Sequence, residues 1–345
     1  MYTYTHFIQE NIAPFGAKRI GVYDQNGNRM FGISLGNLKP IQKTKQYSFC
    51  AVSDVHLNES THPTSTGDFQ RALTYVENSD CSFTCVCGDL TNAGTDTELT
   101  NYKNLVDTYA KIKPVYAISG NHEASGGVIA YDRMTPYTGH PLYYSFTHEN
   151  DVFIMVGLYR WHNSELLSVE ELQWLYEVLE KNRNKRCFVF QHVFPWGGAG
   201  NALNSYPHDI FTGTRGTVFE NLMKHYKNTV FFHGHSHLRF YLQELDKIAN
   251  YSSERGYKSV HIPSLSVPRD ITFDGGYVSG YASIYAESEG YIVDVYDDFI
   301  ILNGRDFIDN EADGHWLPIA TYKIDTTLQT IEANTFTDST GTITT

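Results

Sequence analysis

Short apolar runs alternate with amphipathic helical stretches between residues 47 and 232, and this alternation restricts the possible fold more than any other feature of the sequence. The runs of strand length are residues 47–52, 82–86, 114–118, 152–156, 186–190 and 229–232. Short apolar runs bounded by polar segments indicate buried strands. Strands that alternate with helices along a chain predict a layered α/β domain.

Two of the intervening helices have recognisable starting points. Thr95-x-x-Glu98 and Ser168-x-x-Glu171 both fit a capping box, in which a hydroxyl and a carboxylate satisfy free N–H groups of the first helical turn. Behind the second box, apolar residues recur at a spacing of three and four: Leu172, Leu175, Tyr176 and Leu179. This spacing places them on one helical face, which we interpret as core packing.

Carboxylate, amide and imidazole side chains follow five of the apolar runs, at the point where each strand should end. In chain order they are Asp54, His56, Asp89, Asn121, His122, His192, His235 and His237. Neighbouring parallel strands place their carboxyl ends on one edge of a sheet, where α/β proteins bind ligands. We therefore expect these side chains to converge on one small volume.

The chemistry of this set indicates a metal site. Imidazole and carboxylate groups together suit divalent ions such as Zn, Fe and Mn, whereas thiolates select softer ions. Potential ligands lie two residues apart in Asp54-Val55-His56 and in His235-Ser236-His237, so an extended backbone points both members of each pair the same way. Glycines directly precede three of the ligand groups: Gly88, Gly120 and Gly234. A residue without Cβ permits a sharp turn and a close approach to an ion.

Five motifs in this order resemble those of the calcineurin-like metallophosphoesterase superfamily: SDVH (53–56), GDL (88–90), GNHE (120–123), QH (191–192) and HGHSH (233–237). The members that the spacing resembles include purple acid phosphatases and class III cyclic nucleotide phosphodiesterases. The resemblance implies a four-layer α/β/β/α sandwich with two mixed β-sheets. It also implies a centre of two divalent ions, drawn from Mn, Fe, Zn and Ni.

The same resemblance implies how the ligands divide between the two ions. The first ion would be held by Asp54, His56, Asp89 and His237. The second ion would be held by Asp89, Asn121, His192 and His235. Asp89 would bridge the two ions, with its carboxylate balancing part of their charge.

The implied reaction is hydrolysis of a phosphate mono- or diester on a small molecule by a metal-bridging hydroxide. His122 matches the non-ligand histidine of the family, which is expected to stabilise the transition state or protonate the leaving oxygen. Glu123 or another carboxylate is a candidate to orient His122, and Asn92 is a candidate for a position just behind the ligands. The predicted substrate contacts are Asn121, His122 and Trp196, with Trp196 stacking on a base or an aromatic leaving group.

Loops between the scaffold elements supply further candidates, because binding residues concentrate there. Among the remaining histidines, His162 and His208 are the first candidates to line the pocket. An arginine is predicted to grip a phosphate or distal group with two hydrogen bonds, and the candidates are Arg160, Arg215, Arg239 and Arg269.

The formal net charge of −13 argues against a surface that tracks a polyanion, so we do not expect long nucleic acids as partners. Two alternatives stay open: a nuclease built on the same metal centre, and a non-catalytic interaction module that retains the fold. The enzyme is favoured because every matched position is filled, and a buried cluster of carboxylates and imidazoles without metal is costly.

The N-terminus lacks the basic start and apolar core of a secretory signal, and no apolar stretch reaches 18 residues. We therefore expect a cytoplasmic protein with no membrane partner. The five cysteines are interpreted as small core residues in a reducing compartment.

Three regions are predicted along the chain. Residues 1–45 form a β-rich lead-in with an Asn-Gly hairpin signal at Asn26-Gly27. Residues 46–284 form the catalytic domain, and residues 285–345 form a β-rich accessory region packed on the core.

Overall fold

The computed structural model describes residues 6–8, 19–23, 29–34, 43–125, 130–162, 164–195, 211–240, 251–253, 255–274, 277–308 and 320–337. The chain divides into two compact units, Met1–Lys45 and Gln46–Thr345. The first unit contains an antiparallel sheet with the strand order β1 (His6–Ile8), β2 (Arg19–Tyr23), β3 (Arg29–Ser34). The predicted Asn26-Gly27 turn falls between β2 and β3 but lies outside the described residues.

The second unit contains two six-stranded sheets. Sheet I has the order β17 (Ala320–Asp325), β16 (Phe299–Asp306), β15 (Glu289–Val295), β4 (Tyr47–Val52), β5 (Cys81–Cys87), β6 (Val115–Ile118). Sheet II has the order β11 (Tyr251–Ser252), β12 (Lys258–His261), β10 (Thr229–His233), β9 (Cys187–Phe190), β8 (Asp151–Val156), β7 (Tyr143–His148). A separate hairpin consists of β13 (Arg269–Asp274) and β14 (Tyr277–Ser283).

Both sheets are mixed. In sheet I, β4, β5 and β6 are parallel, whereas β15 runs antiparallel to β4. In sheet II, β8, β9, β10 and β12 are parallel, whereas β7 and β11 are antiparallel to their neighbours. The register aligns the carboxyl ends of the parallel strands: Val52 pairs with Val86, Cys87 with Ile118, and Phe190 with Phe232. The loops that follow these strands therefore start at the same level.

The helices cover the outer faces of the two sheets. They are α1 (Ser65–Asn78), α2 (Asp96–Tyr109), α3 (Asn121–Ala124), α4 (Ala130–Thr138), α5 (Val169–Lys181) and α6 (Gly213–His225). Apolar residues of α1 and α2 pack on sheet I, and those of α5 and α6 pack on sheet II. The predicted capping boxes are present at both Thr95 and Ser168, so α2 and α5 begin where the sequence indicates.

An aromatic core fills the space between the two sheets. The ring centroid of Phe49 on β4 lies 5.1 Å from that of Phe153 on β8 and 5.4 Å from that of Phe188 on β9. The next residue, Cys50, packs on the opposite face of sheet I beneath the helices. Because successive strand residues point to opposite faces, β4 is buried on both sides, which explains its unbroken apolar run. The predicted four-layer α/β/β/α sandwich with two mixed sheets is confirmed.

All five cysteines are buried free thiols, as the core interpretation predicts. Burial raises the pKa of Cys187 to about 12, so this group stays a thiol at neutral pH. Within the described ranges, no helix combines the length and the apolar composition that crossing a bilayer demands.

The strands after residue 285 belong to sheet I, where β15 lies between β16 and β4. Five residue pairs join β15 to β4, from Tyr291 with Ala51 to Val295 with Tyr47. These strands therefore share a sheet with β4, the strand that precedes Asp54. A separate accessory region over residues 285–345 stays a prediction.

A buried ion pair lies near the amino-terminal ends of the strands. Arg186 donates from Nε to Asp151 Oδ1 at 3.0 Å and from Nη2 to Asp151 Oδ2 at 2.5 Å. The Tyr47 hydroxyl donates to the same carboxylate at 2.6 Å. Arg186 also donates to the Tyr296 carbonyl and the Thr326 hydroxyl, so this network joins both sheets to the segment that follows β17.

Replacing Asp151 by Asn should lower the free energy of unfolding by about 3–5 kcal/mol, because the substitution leaves the Arg186 charge buried without its counter-charge. Urea denaturation measures this change. The control is Asp107→Asn, which breaks an exposed pair with Lys103 and should change stability by less than about 1 kcal/mol. Equal effects of the two substitutions would contradict the stabilising role of the buried network.

Candidate metal centre

Five loops meet at the carboxyl ends of β4, β5, β6, β9 and β10. Backbone hydrogen bonds join them: His56 N donates to Asp89 O at 3.0 Å, and Gly234 N donates to His192 O at 3.1 Å. The loops of one sheet also contact those of the other, because His235 N donates to Asp54 Oδ2 at 3.0 Å. The predicted convergence of the strand ends is therefore present in the fold.

Two groups of potential ligands form at this edge. The first consists of Asp54, His56, Asp89 and His237, whose ligand atoms all lie within 4.8 Å of one another. Asp54 Oδ1 is 3.0 Å from His237 Nε2, and His56 Nε2 is also 3.0 Å from that nitrogen. All four residues are buried.

The second group consists of Asp89, His192 and His235. His192 Nε2 lies 3.2 Å from Asp89 Oδ2 and 3.2 Å from Asn121 Oδ1, so the amide of Asn121 joins this group. Asp89 belongs to both groups. The structure thus brings together all seven residues predicted as ligands, while their coordination of metal stays a prediction.

Backbone strain concentrates on the same residues. Five of the seven ligand candidates have positive φ angles: Asp54 (54°), His56 (48°), Asp89 (50°), His235 (74°) and His237 (61°). Non-glycine residues rarely adopt this region, and each instance costs on the order of 1–3 kcal/mol. Such strain persists where the surrounding structure fixes the conformation, as at binding sites.

The glycines before the ligands are required by close packing. Gly88 has a φ angle of +87°, and a Cβ there would lie 2.6 Å from Cγ of His192. A Cβ on Gly120 would overlap the Asp89 carboxylate, and a Cβ on Gly234 would overlap Ser53 and the Asp54 carboxylate. Glycine at these positions lets the backbone pack directly against the ligand side chains, and the predicted close approach to an ion stays a prediction.

Hydrogen bonds behind the ligands orient two of the imidazoles. His192 Nδ1 donates to the Cys87 carbonyl at 2.6 Å, and His237 Nδ1 donates to the Val267 carbonyl at 3.1 Å. Since a carbonyl only accepts, each ring carries a hydrogen on Nδ1, and its Nε2 atom faces the cluster.

The electrostatics of the cluster favour a cation. Burial lowers the pKa of His56 to about 4 and that of His235 to about 3, which keeps both rings neutral. Burial also lowers the pKa of His192, but the charges of Asp89 and Asp54 outweigh this effect and raise it to about 9. Asp54 Oδ1 and His235 Nε2 are buried and make no hydrogen bond among the described residues. Two buried carboxylates, the neutral imidazoles of His56 and His235, and the unsatisfied ligand atoms fit divalent metal ions.

His122 lies beside the cluster with its side chain 34% exposed. Its backbone N donates to Asp89 Oδ1 at 2.9 Å, and its Nδ1 donates to the Asn92 carbonyl at 2.5 Å. Burial lowers the pKa of His122, but the charge of Asp89 and the bond to the Asn92 carbonyl outweigh this effect and raise it. The site thus stabilises the protonated form of this imidazole relative to that of a free histidine.

The hypothesis that Glu123 or another carboxylate orients His122 is wrong, because the His122 ring bonds a main-chain carbonyl. Glu123 is fully buried, and its carboxylate accepts hydrogen bonds from Thr91 N at 2.9 Å, Thr91 Oγ1 at 2.7 Å and Gly120 N at 2.8 Å. These bonds clamp the Asp89 loop to the Asn121 loop. The orienting group is the main-chain carbonyl of Asn92, and because every residue carries a carbonyl, the sequence offers no signal for it.

Among the loop candidates, Trp196 and His208 lie outside the described residues. His162 is exposed and bonds Ser164, whereas its neighbour Trp161 lies at the centre, with its ring centroid 5.5 Å from that of His235. His62 also lies at the centre, with its ring centroid 5.2 Å from that of His56. Neither residue could be identified as part of the site from the sequence, because neither follows a strand directly.

The candidate arginines differ in their contacts. Arg160 pairs with Glu165, Arg215 donates to the Leu167 carbonyl, and Arg239 pairs with Asp270 and Glu287. Arg269 lies nearest the ligands, since its backbone N donates to His237 O at 2.8 Å. Burial lowers the pKa of His237. The charge of Asp54 opposes this effect, and the positive charge of Arg269 adds to it.

A model of the calcineurin-like phosphoesterase family matches residues 47–239, more than half of the 345 residues, so the chain belongs to this family. Together with the buried cluster of Asp and His ligands, this membership identifies a metal-dependent hydrolase that acts on phosphoester bonds. No curated protein gives a significant match.

Solved structures with a similar fold include a dimetal phosphatase from Danio rerio (TM-score 0.56, 14% identity, 82% of this chain and 100% of that chain covered). A second is the purple acid phosphatase PPD1 from yellow lupin (TM-score 0.50, 14% identity, 89% and 59% covered). A third is GAP50, the anchor in the inner membrane complex of Plasmodium (TM-score 0.50, 12% identity, 86% and 99% covered). At these identities the likeness concerns the fold alone.

Proposed function

We propose that this protein hydrolyses a phosphate monoester or diester of a small molecule with the help of two divalent ions. The first ion is held by Asp54, His56, Asp89 and His237, and the second by Asp89, Asn121, His192 and His235. The observation that carries this proposal is the position of Asp89, whose carboxylate belongs to both ligand groups. A shared carboxylate between two sets of imidazoles is the arrangement that a two-metal hydrolase requires.

When bound, two divalent ions lower the pKa of water to near neutrality and offset charge on the phosphoryl oxygens. Mn, Fe, Zn and Ni all suit the mixture of carboxylate, amide and imidazole ligands. The protein contributes a pre-organised cage, because the Glu123 clamp, the three glycines and the carbonyl bonds to His192 and His237 fix the ligands before an ion arrives.

His122 is the proposed proton donor. Its Nδ1–H is engaged by the Asn92 carbonyl, so the second proton of the imidazolium sits on Nε2, which lies 3.9 Å from Asp89 Oδ2. A group at this position can donate its Nε2 proton to the leaving oxygen of an ester bound at the centre.

Two observations favour a small substrate over a long nucleic acid. The net charge is −13, and Arg160 and Arg239 are neutralised by carboxylates. A strand of nucleic acid would need clustered, available basic groups along its path.

The five buried free thiols fit a reducing compartment and support the predicted cytoplasmic location.

A substrate panel tests the proposal. The panel contains p-nitrophenyl phosphate, bis(p-nitrophenyl) phosphate, cyclic nucleotides and plasmid DNA, each assayed with Mn, Zn, Fe, Ni or a chelator. We expect hydrolysis of a small ester that chelation abolishes and added metal restores. Activity that survives chelation would reject the metal mechanism. Faster cleavage of plasmid DNA would identify a nuclease, and a metal-loaded protein inert toward every substrate would favour an interaction module.

A further inference from the structure

His62 lies outside both ligand groups but close to them. It occupies the turn between β4 and α1, where its backbone N donates to Asn58 O at 2.7 Å and its carbonyl accepts from Ser65 N at 3.1 Å. These bonds fix the backbone of His62, and its half-buried ring lies beside His56. The side chain is therefore held in place on the Asn92 side of the centre.

Asn92 connects His62 to His122. His62 Nε2 lies 3.0 Å from Asn92 Oδ1, and the Asn92 main-chain carbonyl accepts from His122 Nδ1 at 2.5 Å. Asn92 thus uses its side chain to bind one histidine and its backbone to bind the other. Holding the side chain restricts the rotation of the residue and so the direction of its carbonyl.

The neighbours of Asn92 have anchors of their own. Thr91 is bound by Glu123, while Ala93 N and Thr95 N donate to Glu98 Oε2 at 3.0 Å and 3.1 Å. The Gly94 carbonyl accepts from Arg133. The loop should therefore keep its place without His62, and the loss of His62 should loosen the peptide of Asn92 itself.

We propose that His62 is a positioning residue that aligns His122 for proton transfer by fixing Asn92. This inference rests on the proposed function of His122 as the proton donor. A proton donor matters most when the leaving group is a strong base, and least when the leaving group departs readily as an anion. Misalignment of His122 should therefore slow hydrolysis of phenyl phosphate more than hydrolysis of p-nitrophenyl phosphate.

The experiment compares kcat for these two esters in the metal-loaded full-length protein. In His62→Leu we expect kcat to fall about 5- to 10-fold for phenyl phosphate and less than about 2-fold for p-nitrophenyl phosphate, with metal content and KM unchanged, as for the loss of an orienting hydrogen bond. In His62→Gln the amide nitrogen can replace Nε2, so the ratio of kcat for phenyl phosphate to kcat for p-nitrophenyl phosphate should stay near the wild-type value. In His62→Asn the side chain is too short to reach Asn92, so this ratio should fall.

Two controls separate this inference from its premise. His140→Leu removes another half-buried histidine, whose Nε2 is hydrogen-bonded to the Val115 carbonyl away from the ligands. This substitution should leave the ratio of the two kcat values unchanged. His122→Ala should change the ratio more than His62→Leu does, and the double variant should be no worse than His122→Ala alone.

The outcomes are distinct. The positioning role is rejected if His122→Ala lowers kcat more for phenyl phosphate than for p-nitrophenyl phosphate while His62→Leu lowers kcat equally for both esters or for neither. A raised KM in His62→Gln would also overturn it, since it would place His62 in direct contact with substrate. If His62→Leu loses metal or unfolds, the comparison of Gln with Asn decides, and equal ratios in these two variants reject the inference. If His122→Ala fails to discriminate, the proton-donor proposal itself is wrong.

Discussion

Asp89→Asn should lower kcat/KM by at least about 10³-fold and reduce metal content below two ions per chain. Asp89 is the single carboxylate shared by the two ligand groups, so the substitution removes negative charge from both. Metal ions contribute several kcal/mol of transition-state stabilisation, and each 1.36 kcal/mol corresponds to tenfold in rate. Steady-state kinetics together with elemental analysis of the dialysed protein measure both effects.

The amide of Asn has nearly the shape of the carboxylate, so the backbone contacts around residue 89 should survive this change. Circular dichroism and urea denaturation check that the fold is retained. Asp107→Asn serves as the control, since Asp107 is an exposed residue of α2 whose partner is Lys103. Near-wild-type activity with two bound ions in Asp89→Asn would remove the basis of the shared-carboxylate arrangement.

His122→Ala should lower kcat for an ester with a poor leaving group by about 10²- to 10⁴-fold, the usual contribution of general acid catalysis. Metal content should stay at the wild-type level, because the His122 ring donates to the Asn92 carbonyl and belongs to neither ligand group. Kinetics and elemental analysis on the same sample separate these effects. Loss of metal instead of proton transfer would show that His122 is a ligand.

Much of the scaffold could be predicted because its signals are local. The apolar run at 47–52 coincides with β4, and the capping boxes at Thr95 and Ser168 mark the starts of α2 and α5. Runs of strand length and a carboxylate three residues after a hydroxyl need no knowledge of distant residues. The convergence of the seven ligand candidates was predictable for a related reason, since each follows a strand directly.

The rest depends on contacts between distant parts of the chain. The pairing of β15 with β4 joins residues such as Tyr291 and Ala51, and no local pattern specifies which strand lies beside which. The role of Asn92 depends on a main-chain carbonyl, and His62 lies in a turn that only the fold brings to His56. Glu123 was assigned to the wrong partner because sequence adjacency to His122 does not give the direction of a side chain.

The most direct test is an anomalous diffraction measurement on crystals of the protein grown with Mn or Zn. We expect two peaks at the carboxyl ends of the parallel strands, both in contact with Asp89. One peak should lie within reach of Asp54, His56 and His237, and the other within reach of Asn121, His192 and His235. Peaks elsewhere on the protein, or a single peak that Asp89 does not contact, would contradict the proposed two-metal centre.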